Sequence, residues 1–146
     1  MRIALGSDHA GFHLKNLIAD HVARAGHEVL DLGTDSTDRV DYPDFGTAVG
    51  RTVAAGDAQF GLCVCGSGIG IAMAAGKVPG IRAATVHDVT SARMARAHND
   101  ANVMCVGERF IGPQVALDAV DAFLAADFDG GRHSARVATI DALDQH

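Results

Sequence analysis

No stretch of this sequence holds the roughly eighteen consecutive apolar residues of a membrane span. The apolar run near the start covers only Ile3, Ala4 and Leu5, too short for the core of a secretory signal. A cytoplasmic location is therefore expected. There are three cysteines, Cys63, Cys65 and Cys105, an odd number that excludes a complete disulfide framework. Cys63 and Cys65 stand two apart in a strand-like run, where their Cβ atoms are too far separated to bridge. Basic residues are few and scattered, twelve against eighteen acidic ones for a net charge of -6, so there is no electrostatic footprint for nucleic acid or an anionic membrane. An anionic ligand must be held by a local site. Neither an internal repeat nor a low-complexity tract is present.

What remains is an ordinary globular chain. Its 146 residues match one domain, and 48% hydrophobic with 21% charged residues is the composition of a chain that folds unaided around one core. Short runs rich in β-branched residues alternate with longer stretches of helical period. Arg2 to Gly6 reads as a strand and Phe12 to Ala25 as a helix stopped by Gly26. Val29 to Gly33 is the second strand, followed by a polar loop through Asp41-Tyr42-Pro43 and a helix from about Asp44 to Ala55. The third strand, Phe60 to Cys65, opens into Gly66-Ser67-Gly68-Ile69-Gly70 and a helix to about Lys77. Strands at Ile81 to Val86 and Asn102 to Val106 flank a helix at Asp88 to Ala97. Helices from about Pro113 to Ala126 and Arg132 to Leu143 close the chain, separated by Gly130-Gly131. Near-continuous apolar strands separated by helices must be buried on both faces, which predicts a five-stranded parallel, Rossmann-like sheet in a three-layer α/β/α sandwich.

In open parallel sheets, ligands collect where the carboxyl ends of strands meet helix N-termini. Asp8 and His9 follow the first strand, Cys65 and Ser67 the third, and Glu108 and Arg109 the fifth. Cys65 precedes a glycine-rich turn that enters a helix, so its sulfur faces the positive end of a helix dipole, which favours thiolate. The alternative is a buried structural cysteine, the reading that suits Cys63. The Gly66 to Gly70 turn can aim backbone N–H groups at an oxyanion, although it lacks the spacing of the dinucleotide fingerprint. Asp8-His9 and His98-Asn99-Asp100 can hydrogen-bond sugar hydroxyls and pass protons, or serve as ordinary caps and surface groups. His9 and His13 have the spacing of helical metal ligands but lack a third ligand nearby. Arg132 and Arg136, four apart on the expected last helix, form either a phosphate clamp or a solvated basic face.

Five motifs in order, across essentially the whole chain, resemble the ribose-5-phosphate isomerase B family, which includes galactose-6-phosphate and allose-6-phosphate isomerases. They are Gly6-Ser7-Asp8-His9-Ala10-Gly11, Asp41-Tyr42-Pro43, Cys65-Gly66-Ser67-Gly68, His98-Asn99-Asp100 with Asn102-Val103, and Gly130-Gly131-Arg132-His133 with Arg136. The resemblance implies an aldose–ketose isomerase needing neither metal nor cofactor, in which Cys65 shuttles a proton through a cis-enediolate. It implies that Gly66, Ser67, Gly68, Ile69 and Gly70 stabilise the oxyanion, that His98 opens the sugar ring, and that Asp8 orients sugar oxygens. It puts His9, Arg132 and Arg136 around the phosphate, with Asn99, Tyr42 and Arg109 lining the site. It also implies a homodimer, or a higher homo-oligomer, whose sites are shared, so that the last helix, about 132–143 of a single 1–146 domain, reaches a neighbour. One branch of the family uses a glutamate just after the turn, where this sequence has Ile71, which leaves Cys65 as the base. The helix after the turn carries Gly76 where many members have asparagine. Ribose 5-phosphate is the leading substrate, with erythrulose 4-phosphate, allose 6-phosphate or galactose 6-phosphate as alternatives. A nucleotide- or phosphate-binding module without catalysis is the competing class, and it would have no use for Cys65.

Overall fold

The computed structural model describes residues 1–145, and His146, at the end of the expected domain, lies outside the described residues. Its elements alternate as the periodicity predicts: β1 (Arg2–Ser7), α1 (Phe12–Arg24), β2 (Glu28–Asp31), α2 (Tyr42–Ala54), β3 (Phe60–Cys65) and α3 (Ile69–Gly76). Then come β4 (Ala83–Thr85), α4 (Val89–Asn99), β5 (Val103–Gly107), α5 (Pro113–Ala125) and α6 (Ser134–Ala142). All strand pairs are parallel, in the order β2-β1-β3-β5-β4. The chain leaves β1 toward β2 on one side and returns to β3 on the other, so a crevice opens at the carboxyl ends of β1 and β3.

The alternation of side chains along each strand builds two cores. On one face Leu62, Val64, Met104 and Val106 meet Leu14 and Ile18 of α1, Ala92 of α4 and Phe123 of α5. On the other, Cys63, Cys65 and Cys105 meet Val49 of α2 and Ile71 of α3. Phe123 is fully buried, and truncating it to alanine would cost about 3–5 kcal/mol. The expected α/β/α sandwich is thus observed, with α6 outside its three layers.

Among the boundaries that differ from the sequence reading, three have a clear local cause. Helix α2 begins at Tyr42, two residues before the expected Asp44, because Pro43 falls in its first turn, where a missing N–H costs nothing. Strand β4 is shorter than Ile81 to Val86 because the backbone N–H of Arg82 is taken by the Asn102 side chain at 2.8 Å. The last helix is not continuous over 132–143: Arg132 lies in a 3-10 turn (Gly131–His133) and Arg136 in α6. Gly130 and Gly131, with φ of +63° and +54°, set up that tight entry.

Candidate active site

A cavity of about 520 Å³ occupies the crevice. The tight turn after β1 supplies Asp8 and His9, and that turn is built by Asp8 itself: its Oδ1 accepts the N–H groups of Ala10 and Gly11 at 3.0 and 3.1 Å. His9 Nδ1 sits 3.2 Å from both the carbonyl oxygen and the N–H of Val40, which fixes the imidazole against the loop before α2. Helix α2 contributes Tyr42, whose ring lies over Gly70: a Cβ there would stand 2.5 Å from the tyrosine Cζ.

Strand β3 delivers Cys65, which is 4% exposed. The backbone then reverses through Gly68 at φ +75°, a conformation that suits glycine, and the Gly68 N–H donates to Cys65 Sγ at 3.1 Å. The Ile69 N–H donates to Ser67 Oγ at 3.2 Å. The end of β5 locks this geometry: the Glu108 and Arg109 N–H groups donate to the Cys65 and Gly66 carbonyls at 2.9 and 3.1 Å. Arg109 then enters the cavity beside Gly66.

Eight of the expected residues therefore line one cavity: Asp8, His9, Tyr42, Cys65, Gly66, Ser67, Gly70 and Arg109. Gly68 touches the Cys65 sulfur from the turn beneath, while Ile69, 45% exposed, opens α3. Arg39, Val40 and Phe110 also line the cavity and escaped sequence reasoning, and Asp41, singled out only within its motif, lines it too. Arg39 lies in a polar segment without periodicity, and its place just before Asp41-Tyr42-Pro43 was the only available signal. Among the described residues neither Arg39 nor Arg109 makes an ion pair, which leaves two unpaired guanidinium groups lining the cavity.

His98, Asn99, Arg132 and Arg136 are not brought to Cys65 within one chain. A helix that joins parallel strands starts at their carboxyl edge and ends at their amino edge. The end of α4 accordingly contacts the starts of β4 and β5: Arg82 Nε donates to the Asp100 carbonyl oxygen at 2.9 Å, and Asn102 pairs with Arg82. His133 stacks on His98 at 4.4 Å with the rings 11° apart, and this holds the Arg132 turn at the same edge. Strands of five to six residues separate the two edges by roughly 17–20 Å. Asn99 lines a second cavity of about 340 Å³ there, with Gly76, Arg82 and Ile140.

The titration of His133 is set by these neighbours: burial, then the charges of His98, Arg132 and Arg136, push it below its ordinary value. His98, Asp129 and His133 bring potential metal ligands within 4.8 Å of one another. The two imidazoles stack, however, so their in-plane lone pairs run side by side instead of converging on one ion. On the other side of the sheet, Cys105 is fully buried beside Cys63, and that contact together with burial pushes its thiol well above the usual range. This is the behaviour of a structural cysteine, and it contrasts with the placement of Cys65.

The sequence profile of Ribose/Galactose Isomerase matches residues 3–140. The chain belongs to this family. Ribose-5-phosphate isomerase B of Escherichia coli strain K12 is 45% identical over 144 residues, covering 99% of this chain and 97% of the relative. The fold agrees closely with ribose-5-phosphate isomerase B of Clostridium thermocellum, with a TM-score of 0.98, 50% identity, and 99% and 98% of the two chains covered. The enzyme of Mycoplasma genitalium, solved with bound ribulose-5-phosphate, superposes with a TM-score of 0.94 at 39% identity, covering 99% and 97% of the two chains. Membership of the ribose/galactose isomerase family accounts for a chain whose Cys65 cavity is built from its strand-end motifs.

Proposed function

We propose that the protein interconverts ribose 5-phosphate and ribulose 5-phosphate as an aldose–ketose isomerase, with Cys65 as the proton-transfer base. The observation that carries this reading is the Cys65 sulfur, held by the Gly68 N–H at 3.1 Å, in a cavity also lined by Asp8, His9 and two unpaired arginines. The relatives named ribose-5-phosphate isomerase B support the substrate. Starting from the aldose, the Cys65 thiolate removes the proton from C2 of the open-chain sugar; the C2–H electrons form the C1–C2 double bond and the C1=O pair moves onto O1, giving the enediolate. The thiol proton exchanges with solvent while the enediolate persists, and the thiol then delivers a proton to C1 as the hydroxyl proton passes from O2 to O1. The Ser67 hydroxyl and the first-turn N–H groups of α3 face the charge that develops on oxygen. Asp8 orients sugar hydroxyls, and Tyr42 borders the site over Gly70.

The remaining groups come from a second copy. The partner's His98 would open the furanose ring, with the partner's Asn99 beside it. The partner's Arg132 and the partner's Arg136 join His9 and Arg109 around the phosphate. The supporting observation is the separation of the two edges, because one chain cannot fold His98 onto its own Cys65. Met73, Leu143 and Ile140, at 67%, 66% and 46% exposure, supply apolar surface for such an assembly. Residues 1–146 then form one isomerase domain in a homodimer or larger assembly. Three free, buried thiols and the net charge of -6 fit a cytoplasmic enzyme without nucleic-acid or membrane partners, and no described helix is long and apolar enough to cross a membrane.

Mixing tests the shared site. Cys65→Ser and His98→Asn homodimers should each be inactive on ribose 5-phosphate. After exchange of subunits, half the dimers are hybrids with one intact site, so about a quarter of wild-type activity should return. No recovery in demonstrated hybrids would place all groups in one chain.

A further inference from the structure

Asp100 is the one non-glycine residue with positive φ among the described residues, at φ 47° and ψ 39°. It ends α4 in the left-handed conformation, with the Ala101 N–H on the Ala95 carbonyl at 2.9 Å and the Asp100 N–H on that of Arg96 at 3.1 Å. Glycine is the residue that geometry prefers. The aspartate there spends its carboxylate on two guanidinium groups: Oδ1 accepts from Arg96 at 2.7 Å, and Oδ2 accepts from Arg82 at 3.1 Å. Arg96 is buried, packs 4.7 Å over the Phe60 ring, and donates also to the Ala101 carbonyl at 2.9 Å. Arg82 has a third arm: its Nη1 donates to Asp141 of α6 at 2.9 Å.

One guanidinium thus joins the end of α4, which carries His98 and Asn99, to α6, which carries Arg136. We infer that Asp100, acting through Arg82, is a positioning residue that sets the spacing between the ring-opening imidazole and the phosphate clamp. The inference rests on the roles of His98 and Arg136 proposed above. In a furanose 5-phosphate the short C4–C5–O5 arm keeps the phosphate within a bounded distance of the ring oxygen, so the two elements must be held at a matching distance. The Asp100–Arg82–Asp141 brace supplies that constraint without touching substrate.

The test is a comparison of kcat and KM for ribose 5-phosphate in the full-length assembly, with thermal unfolding of each variant. Asp100→Gly keeps the left-handed backbone at its favoured residue, so it retains the fold while deleting the carboxylate. It should lower kcat roughly tenfold to a hundredfold, the scale of an ångström-sized misplacement, and Asp100→Asn should do likewise. Asp141→Asn frees only the α6 arm, so it should raise KM several-fold at nearly unchanged kcat. Turnover loss that merely follows the loss of folded protein, or native constants in both Asp100 variants while His98→Asn is inactive, would overturn the brace and leave the proposed function standing. Full turnover in His98→Asn would instead remove the reading on which the brace rests.

Discussion

Replacing Cys65 separates proton transfer from every other property of the site. A positioned general base contributes about 10²–10⁴ in rate, equivalent to roughly 3–5 kcal/mol of the barrier. Serine at this position can still accept the Gly68 N–H that now meets Sγ at 3.1 Å, but its hydroxyl holds its proton at neutral pH. Alanine leaves that N–H unpaired in a site where Cys65 is 4% exposed, at a stability cost of about 1–3 kcal/mol. Each kcal/mol should lower the melting temperature by about 2–4 °C in a chain this long. Neither variant touches the phosphate groups, so sugar-phosphate binding should persist. Turnover is followed by the appearance of ketose, and binding by calorimetry on the same protein. Both variants should lose at least a hundredfold in kcat with dissociation constants near the wild-type value. Full turnover in both would refute the assignment of Cys65 as the base.

Three further outcomes are expected. Iodoacetamide should inactivate the native enzyme by modifying one thiol per chain, with substrate protecting it, because Cys63 and Cys105 are fully buried while Cys65 borders the cavity; peptide mapping that finds Cys63 or Cys105 modified first would contradict this. His133 is pushed below its ordinary value in the fold, so the unfolded chain takes up its proton first as pH falls. Its contribution is present in full above about pH 6.5 and is lost as pH drops through the range below that; His133→Asn should flatten the pH dependence of the urea midpoint there, and an unchanged slope would count against it. Gly107→Ala would place a Cβ 2.5 Å from the Ser67 backbone carbonyl carbon, and since backbone cannot rotate away, about 1–3 kcal/mol of stability should be lost together with activity. A variant with wild-type melting temperature and turnover would show that the turn is more pliable than the packing implies.

The alternation of strands and helices was legible because each strand is buried on both faces and reads as a continuous apolar run. The carboxyl-edge groups Asp8, His9, Cys65, Ser67 and Arg109 could be sorted correctly for the same reason: in a parallel sheet, the residues just after each strand all lie on one edge. Strand order was not legible, since the insertion of β5 between β3 and β4 depends on long-range pairing such as Cys63 with Cys105. Nor was the displacement of Arg132 into a 3-10 turn, which is a consequence of two successive left-handed glycines. The placement of His98 at the opposite edge follows from the direction of α4, and its part in the chemistry came only from the resemblance. Arg39 shows the limit of periodicity: a loop residue carries no pattern, and only the folded chain shows that it faces the cavity.

The central claim is that the Cys65 cavity moves a proton between C2 and C1 of ribose 5-phosphate. Incubation of the purified protein with ribose 5-phosphate in deuterium oxide, followed by NMR, tests it directly. Ribulose 5-phosphate carrying deuterium at C1 is the predicted product, with no label in the Cys65→Ser variant. Unlabelled sugar with no ketose would contradict the proposed isomerase activity, and labelled product from Cys65→Ser at the wild-type rate would contradict the role of the thiol.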